Sequence, residues 1–301
     1  MAVVLVLSFA YQAWTAEWFS DDLKVWFFDV GQGDAIFIET PDHQQILVDT
    51  GNPRVVLAKL GAVMLPWDRY IDAVIITHPH ADHEGGLPEI LKRYNVGVIY
   101  KTGVLGTYDL QQTVEDLVEA KGTPIEYVWA SSSPPLPDAT EGEGLGVRDR
   151  MSHIERWPVG EGVVLQILAP STNPYNKKID DLNSASIVLL LTYGDTSILL
   201  TGDATIEEEP EFLSSLEHID VLKVAHHGSV TSSSREFLEI TTPDAAIISV
   251  GEGNDYNHPH PAVLERLNSY GIKTWRTDFE GDILITSDGG EPIVESRSLP
   301  F

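Results

Sequence analysis

Residues 77–86, with the sequence Thr-His-Pro-His-Ala-Asp-His-Glu-Gly-Gly, constrain the fold of this chain more than any other segment. Four candidate metal ligands stand there in the spacing H-x-H-x-D-H: His78, His80, Asp82 and His83. Neutral imidazole and carboxylate are common protein ligands of zinc and similar divalent ions. The apolar run 73–77 leads into the motif and Gly-Gly ends it, so the sequence predicts a strand, a metal-binding loop and a helix start.

Candidate ligands also follow two later strand-like runs. Asp203 comes after the apolar run 197–201, and His226 and His227 come after the run 221–225. We expect these strand ends to meet the first motif and to form a site for two divalent ions, zinc or manganese. The predicted assignment gives one ion His78 and His80, gives the other Asp82 and His83, and places Asp203 between them.

Either His226 or His227 is expected to be the remaining ligand of the second ion, and the choice stays open at this stage. We favour His227 because the neighbouring Gly228 leaves room for a close backbone approach. Each of these short motifs is weak evidence alone, so the prediction depends on their combination.

The composition excludes several classes of chemistry. The 301 residues include no cysteine, which rules out disulfide partners, thiolate metal ligands and cysteine nucleophiles. With 43% hydrophobic residues, the chain can bury one large core or two modest ones. The formal net charge of −27 at pH 7 favours solubility and repels polyanions at long range. We expect the acidic runs 138–143 and 207–211 to be solvated surface.

Residues 1–22 form an apolar N-terminal segment. The first 16 residues have no charged side chain; the run is shorter than the ~20 residues of a membrane-spanning helix and lacks the positive start of a signal peptide. Three interpretations stay open: a degenerate secretion signal, the end of a transmembrane segment, or a buried N-terminal strand. We favour the first two, which predict an extracytoplasmic, membrane-associated protein, although a cytoplasmic location also stays open.

Strand-like runs dominate the rest of the chain. They are predicted at 23–30, 35–40, 45–48, 73–77, 163–168, 186–193, 197–200, 221–225, 245–250, 273–276 and 283–286. Helical periodicity is found at 55–63, 87–94, 110–121, 212–216 and 261–270. This pattern predicts an α+β fold in which two packed sheets carry helices on their outer faces. Residues 23–301 are expected to form one domain with a flexible acidic loop near 131–150.

Four motifs together are typical of one superfamily: Leu47-Val-Asp-Thr-Gly51, His78–His83, Thr201-Gly-Asp203 and His226-His-Gly-Ser229. On these motifs the chain resembles the metallo-β-lactamase-fold hydrolases. Within them it is most similar to the C-terminal extracytoplasmic domain of ComEC-type DNA-uptake proteins, on the segments 28–34, 183–186, 257–261 and 276–281. The resemblance spans about 23–287 and implies a four-layer αββα sandwich with the metals at one edge.

Two departures from the resembled proteins affect the site and the architecture. Many superfamily members have a histidine just before the strand that leads to the bridging aspartate. This chain has Asn183 at that place, and ComEC-like sequences commonly have an asparagine there as well. An amide is a poorer ligand, so the first ion is expected to be held loosely or to be manganese, with His153 as a less favoured substitute. ComEC-type proteins carry this domain after many transmembrane helices. The chain is therefore expected to be a piece of such a protein or a free-standing relative, with a membrane channel in the same or a partner protein.

Several residues are predicted to act beside the metals. Asp82 is expected to orient the attacking water, and His258 is the candidate general acid, with His260 as second choice. A structural role for His258 in its proline-containing turn stays open. The other side chains predicted to face substrate or support ligands are Asp29, Gln32, Asp34, Asp49, Asn183, Ser186 and Ser229. Of these, Asp49 is expected to brace the first metal loop, and the two serines either donate to phosphate oxygens or cap turns.

Two divalent ions predict a hydrolase that needs no side-chain nucleophile. The resemblance to ComEC-type proteins implies a nuclease that degrades single-stranded DNA during DNA uptake (competence). The negative net charge of the chain opposes this substrate. Phosphate binding normally depends on Lys and Arg, and the chain has only 19 of these residues. The alternatives are a small-molecule hydrolase acting on a lactam, thioester or phosphocholine ester, and a catalytically weak binding domain.

Overall fold

Alternating apolar side chains build two mixed β-sheets that pack face to face. The computed structural model describes residues 20–106, 108–130, 150–152 and 156–299. Almost all of the N-terminal segment and of the acidic loop near 131–150, and also His153, lie outside this description. Among the described helices, none has the length and apolar character needed to cross a membrane.

Strands and helices alternate along the chain much as the sequence predicts, but the strands are more numerous. The strands are β1 (Leu23–Phe27), β2 (Ile36–Glu39), β3 (Gln45–Val48), β4 (Tyr70–Ile75), β5 (Asn95–Lys101), β6 (Ile125–Val128), β7 (Arg150–Ser152), β8 (Arg156–Pro158), β9 (Val163–Ala169), β10 (Val188–Tyr193), β11 (Thr196–Leu200), β12 (Val221–Lys223), β13 (Ala245–Ile248), β14 (Lys273–Arg276), β15 (Asp282–Ser287) and β16 (Ile293–Arg297). The helices are α1 (Pro53–Val63), α2 (Ala81–Glu84), α3 (Leu87–Arg93), α4 (Tyr108–Lys121), α5 (Glu209–Leu213), α6 (Arg235–Thr241), α7 (Pro261–Ser269) and α8 (Thr277–Glu280). The sequence patterns did not predict β5 to β8, β16, α2, α6 and α8.

Each sheet combines antiparallel and parallel strands. One sheet has the order β16-β15-β1-β2-β3-β4-β5-β6-β7, and its strands from β3 to β7 are parallel. The other has the order β14-β13-β12-β11-β10-β9-β8, and its strands from β11 to β14 are parallel. Parallel neighbours end at the same edge of a sheet, so the loops that follow them gather there.

Three apolar layers hold the sheets and helices together. Side chains alternate between the two faces of a strand, so Val25 lies between the sheets while Trp26 packs in the outer layer with α1, α3 and α4. In the second sheet, Leu189 faces the first sheet, and Val188 lies in the opposite outer layer with Phe237 of α6. The order of layers is helix, sheet, sheet, helix, which confirms the predicted α+β sandwich of αββα type.

A buried ion pair positions the loop that follows β1. Asp282, at the start of β15, accepts hydrogen bonds from Lys59 Nζ at 2.8 Å and from the Asp29 backbone N–H at 3.0 Å. The same carboxylate accepts the backbone N–H of Leu299 at 3.0 Å. Both charged side chains are buried, and a buried pair resists the loss of either partner. The start of the loop that leads to Asp34 is thus fixed against the sheet.

The acidic run 207–211 is only partly the solvated surface that its composition predicts. Glu209 begins α5 and is buried, and its two carboxylate oxygens accept the backbone N–H of Ser234 at 3.0 and 3.2 Å. Burial raises the pKa of Glu209. This side chain therefore joins α5 to the start of α6, a packing role that the charge pattern does not reveal.

Candidate metal centre

Loops from both sheets meet at one edge of the sandwich, and each carries a predicted motif. Asp34 lies in the loop after β1, Asp49 directly follows β3, and the H-x-H-x-D-H motif follows β4. In the other sheet, Asp203 follows β11 and His227 follows β12. The shared strand edge therefore brings together residues that are far apart in the sequence.

The first motif surrounds the Asp203 carboxylate. His78 and His83 are buried, and their Nε2 atoms lie 3.9 and 3.3 Å from Asp203 Oδ2. His80 Nδ1 lies 2.9 Å from His78 Nε2. Imidazole nitrogens and a carboxylate oxygen thus lie close to one another. This is the donor set of a divalent metal site.

The geometry distinguishes His227 from His226. His227 is buried, and its Nε2 lies 3.5 Å from both Asp82 Oδ2 and Asp203 Oδ2. Its Nδ1 donates to the Ser249 carbonyl oxygen at 2.9 Å, which leaves Nε2 facing the carboxylates. His226 is less buried, and its Nδ1 is 3.3 Å from Thr231 Oγ1 instead. This arrangement favours His227 as the proposed ligand.

Asp49 lies behind the first motif, where the predicted bracing role requires it. One carboxylate oxygen accepts the Thr77 backbone N–H at 2.8 Å, and the other accepts Thr77 Oγ1 at 2.7 Å and His83 Nδ1 at 2.8 Å. An acceptor at Nδ1 leaves the His83 Nε2 atom directed at the centre. Such a contact fixes the orientation of a metal-binding histidine.

Lys223 is a buried cation at the centre that the sequence analysis missed. Alternation in β12 places it on the inner face, where its ammonium pairs with Asp34 of the other sheet. It also donates to the Gly202 carbonyl oxygen at 2.8 Å and lies 3.7 Å from Asp203 Oδ1. Burial alone would lower the pKa of Lys223, but the two carboxylates raise it, so the side chain stays charged. The sequence does contain a signal for this role: Lys223 is the charged residue within the apolar run 221–225, which leads directly to His226 and His227.

The loop that carries Asp34 approaches the metal-binding loop more closely than any side chain at Gly33 would allow. Gly33 has φ +119°, and a Cβ atom there would stand 2.2 Å from the Asp82 carbonyl oxygen. The Asp34 N–H donates to that same oxygen at 3.2 Å. Glycine is therefore required at this position.

Three further predicted residues have different positions. Gln32 lines the cleft above the centre. Asp29 instead accepts the Gly31 N–H at 3.2 Å within its own loop. Ser186 is buried, and its Oγ accepts the Asp203 N–H at 3.1 Å, so this hydroxyl orients a candidate ligand rather than facing solvent.

Ser229 and His260 make turn and cap contacts. Ser229 Oγ lies 3.0 Å from Thr231 Oγ1 and accepts its N–H at 3.3 Å. His260 Nδ1 accepts the Ala262 N–H at 3.2 Å and so caps α7. Of the two alternatives for Ser229, these contacts favour the turn.

A cleft of about 220 Å³ gives access to the centre. Most of the residues that line it are histidines and aspartates, and two come from the loop after β13, Tyr256 and His258. The whole lining consists of Gln32, His80, Ala81, Asp82, Asp203, His226, His227, Tyr256 and His258. The sequence analysis assigned no role to Tyr256, although it stands two residues before the candidate general acid.

His258 is half-buried beside His226, with ring centroids 5.6 Å apart. Burial and the neighbouring histidines lower the pKa of His258 to about 4. The imidazole is therefore neutral at pH 7, which limits it as a general acid until an anion binds nearby.

Charge pairing sets the protonation of the two central histidines. Burial alone would lower the pKa of His83, but Asp203 and Asp49 raise it well above its usual value. For His227, Asp203 and Asp82 likewise outweigh burial and raise the pKa. Burial lowers the pKa of His78 instead, so His78 is neutral. With no metal bound, the surrounding carboxylates thus favour the protonated forms of His83 and His227.

The residues at the centre fit a divalent metal. Four buried polar atoms have no hydrogen-bond partner among the described residues: Asp34 Oδ1, His83 Nε2, Asp203 Oδ1 and His227 Nε2. Buried polar atoms are normally paired, so each of these needs an explanation. Their donor types are those that zinc and manganese accept. Asn183 Oδ1 is also buried without a partner, as a weak additional ligand would be.

Residues 28–155 and 178–252 match the metallo-β-lactamase superfamily. Together with the αββα sandwich and the histidine-aspartate centre, this match shows the class of the protein. The chain belongs to the metallo-β-lactamase superfamily, whose members are metal-dependent hydrolases.

Within that superfamily the chain is related to competence proteins. It is 33% identical over 93% of its length to ComE operon protein 3 of Bacillus subtilis (strain 168). It is 32% identical over 85% to Recombination protein 2 of Haemophilus influenzae, and 31% identical over 86% to Competence protein ComA of Neisseria gonorrhoeae. The chain spans 34%, 28% and 31% of these proteins, about a third of their length. The resemblance seen in the sequence is confirmed.

Metal binding should release protons, because an ion at the centre must displace those on His83 and His227. We expect protons to be released when the metal binds, and the apparent metal affinity to rise with pH as the two histidines lose their protons. Isothermal titration of Mn²⁺ or Zn²⁺ in buffers of different ionisation enthalpy measures both. His218→Asn, in an exposed cluster with Asp220 and Asp244, serves as the control and should change neither. An affinity independent of pH would contradict the assigned protonation.

Replacement of Lys223 should destabilise the metal-free protein strongly. Lys223→Met leaves the Asp34 and Asp203 carboxylates buried without their ammonium, and we expect the free energy of unfolding to fall by about 3–5 kcal/mol. Urea denaturation in EDTA measures this change. Lys92→Met removes an exposed pair with Glu89 and should cost less than about 1 kcal/mol. Equal effects of the two substitutions would show that the buried pair is not important.

Proposed function

We propose that this chain is a binuclear metal-dependent phosphodiesterase that cleaves single-stranded DNA. The observation that carries the proposal is the convergence of buried, unpaired imidazole and carboxylate atoms from both sheets on one polar cleft. Hydrolysis at such a centre needs no nucleophilic side chain, because water is the nucleophile.

The proposed ligands divide into two sets that share Asp203. His78 and His80 would hold one ion, while Asp82, His83 and His227 would hold the other. Two divalent ions supply an activated water and stabilise the negative charge that develops on the phosphate oxygens. Zinc and manganese both fit this donor set, and the Asn183 amide in place of an imidazole favours looser binding of the first ion.

The protein side chains then have separate tasks. Asp82 is partly exposed to the cleft, where its carboxylate can orient the attacking water. His258 lies across the same cleft and is neutral in the absence of substrate. A bound phosphodiester is an anion and raises the pKa of a nearby imidazole, which allows His258 to protonate the leaving oxygen.

DNA is the proposed substrate because of the relatives. One relative is named Competence protein ComA and another Recombination protein 2. We further propose an extracytoplasmic, membrane-associated location, with a membrane channel in the same protein or in a partner. The histidine and aspartate side chains that line the cleft suit a charged phosphodiester, and the complete set of predicted ligands argues against a binding domain without turnover.

The net charge of −27 constrains how DNA is bound. Repulsion between the surface and the phosphates acts at long range and weakens as salt is added. Affinity for the strand must therefore come from the metals and from contacts that do not depend on net charge.

Cleavage assays with labelled single-stranded DNA test this function. We expect Mn²⁺- or Zn²⁺-dependent cleavage by the wild type and a loss of at least about 100-fold in rate for Asp203→Asn, since a ligand shared by both ions is removed. Asp82→Ala should also lose cleavage, and His218→Asn should retain it. A generic phosphodiester and a β-lactam are the comparison substrates. Turnover of either one with intact DNA would overturn the nuclease and favour a small-molecule hydrolase.

A further inference from the structure

Tyr256 is an exposed aromatic side chain at the mouth of the metal cleft. Its relative exposure is 65%, and it lines the cleft with Asp82, Asp203 and His227. Its ring stacks on that of His258, with centroids 5.8 Å apart and an interplanar angle of 26°. One face of the ring therefore packs on the site, and the rest is open to solvent.

The loop under Tyr256 is held in one conformation by Asn254. The Asn254 Oδ1 atom accepts the backbone N–H groups of Tyr256 at 3.1 Å and His258 at 3.0 Å. Its Nδ2 atom donates to the carbonyl oxygens of Gly251 at 3.0 Å and His258 at 2.7 Å. A fixed loop that presents an exposed ring costs little entropy when a ligand stacks on it.

A second contact seats this loop beside the centre. Gly228 has φ +79°, and a Cβ atom there would lie 2.6 Å from Pro259 Cβ. Glycine therefore allows the segment 256–260 to pack against the turn that carries His227.

Other exposed aromatic side chains differ from Tyr256 in their surroundings. The Phe279 ring lies under the Arg276 guanidinium, whose Cζ atom is 3.9 Å from the ring centroid. Trp67 is 74% exposed and precedes β4, at the opposite end of the strand from His78. Among the described residues, Tyr256 is the exposed aromatic that lines the metal cleft.

We infer that Tyr256 forms a subsite for an unpaired nucleobase next to the scissile phosphate, a conclusion that rests on the proposed nuclease function. Every base has a π-face, so stacking needs no particular sequence and little basic charge. This contact suits an acidic protein, which cannot rely on Lys and Arg to neutralise phosphates. A base within a duplex is already stacked and paired, so the subsite favours single strands.

Substitution of Tyr256 tests the subsite in the metal-loaded protein. We expect Tyr256→Leu to raise KM for a single-stranded oligonucleotide about 10- to 100-fold, with kcat changed less than about 3-fold. Tyr256→Phe keeps the ring and should restore the wild-type KM. Trp67→Leu removes an equally exposed ring far from the cleft and is the matched control. Since Tyr256 is exposed, its variants should unfold at the same urea midpoint as the wild type.

A fluorescent base gives a readout besides activity. An oligonucleotide series with one 2-aminopurine, moved along the strand, should be quenched at one position by the wild type and by Tyr256→Phe. Tyr256→Leu should leave that position unquenched. An abasic residue at the same position should raise KM for the wild type but not further for Tyr256→Leu, because the stacking contact is already lost.

The nuclease function and the base subsite are contradicted by different results. If the wild type neither binds nor cleaves the oligonucleotide, both the nuclease and its base subsite are overturned. If the wild type cleaves DNA while Tyr256→Leu matches it in KM and quenching, the nuclease stands and the base subsite is wrong.

Discussion

The ammonium of Lys223, placed between the carboxylates of Asp34 and Asp203, is the contact on which the rest of the centre depends. An isolated buried carboxylate costs several kcal/mol, and these two are almost fully buried. Asp34 comes from one sheet while Lys223 and Asp203 come from the other, so this charge pairing also ties the two sheets together at the edge where the loops meet. The proposed metal ligands therefore lie beside a buried ion pair that connects the two sheets.

The balance of charge between the histidines and the carboxylates also bears on the proposed metal binding. Without metal, the carboxylates of Asp49, Asp82 and Asp203 raise the pKa of His83 and His227, so positive charge on these two imidazoles is favoured. Divalent ions are a stronger source of the same positive charge, so the proposed metal binding would exchange protons for ions. Asp49 and the Ser249 carbonyl oxygen already hold the Nδ1 atoms of these histidines. The two imidazoles are therefore already oriented towards the carboxylates without metal.

The sequence predicts the αββα layers and the meeting of the motifs, because apolar alternation and strand-end ligands are local patterns with a general geometric consequence. It does not predict Lys223 or Tyr256, since their roles depend on partners that only the fold brings near. Strand β6 was missed for a related reason: a short run interrupted by a polar residue is stabilised by its neighbours in the sheet. Glu209 was misjudged because charge composition does not report the buried N–H of Ser234 that it accepts.

The most direct test of this account is the anomalous diffraction of crystals soaked with Mn²⁺. The account predicts two peaks about 3.5–4 Å apart on either side of the Asp203 carboxylate, with His227 and not His226 at the second. It also predicts that Lys223 remains paired with Asp34. A single peak at the exposed His218, Asp220 and Asp244 cluster, or no peak beside Asp203, would contradict the proposed centre.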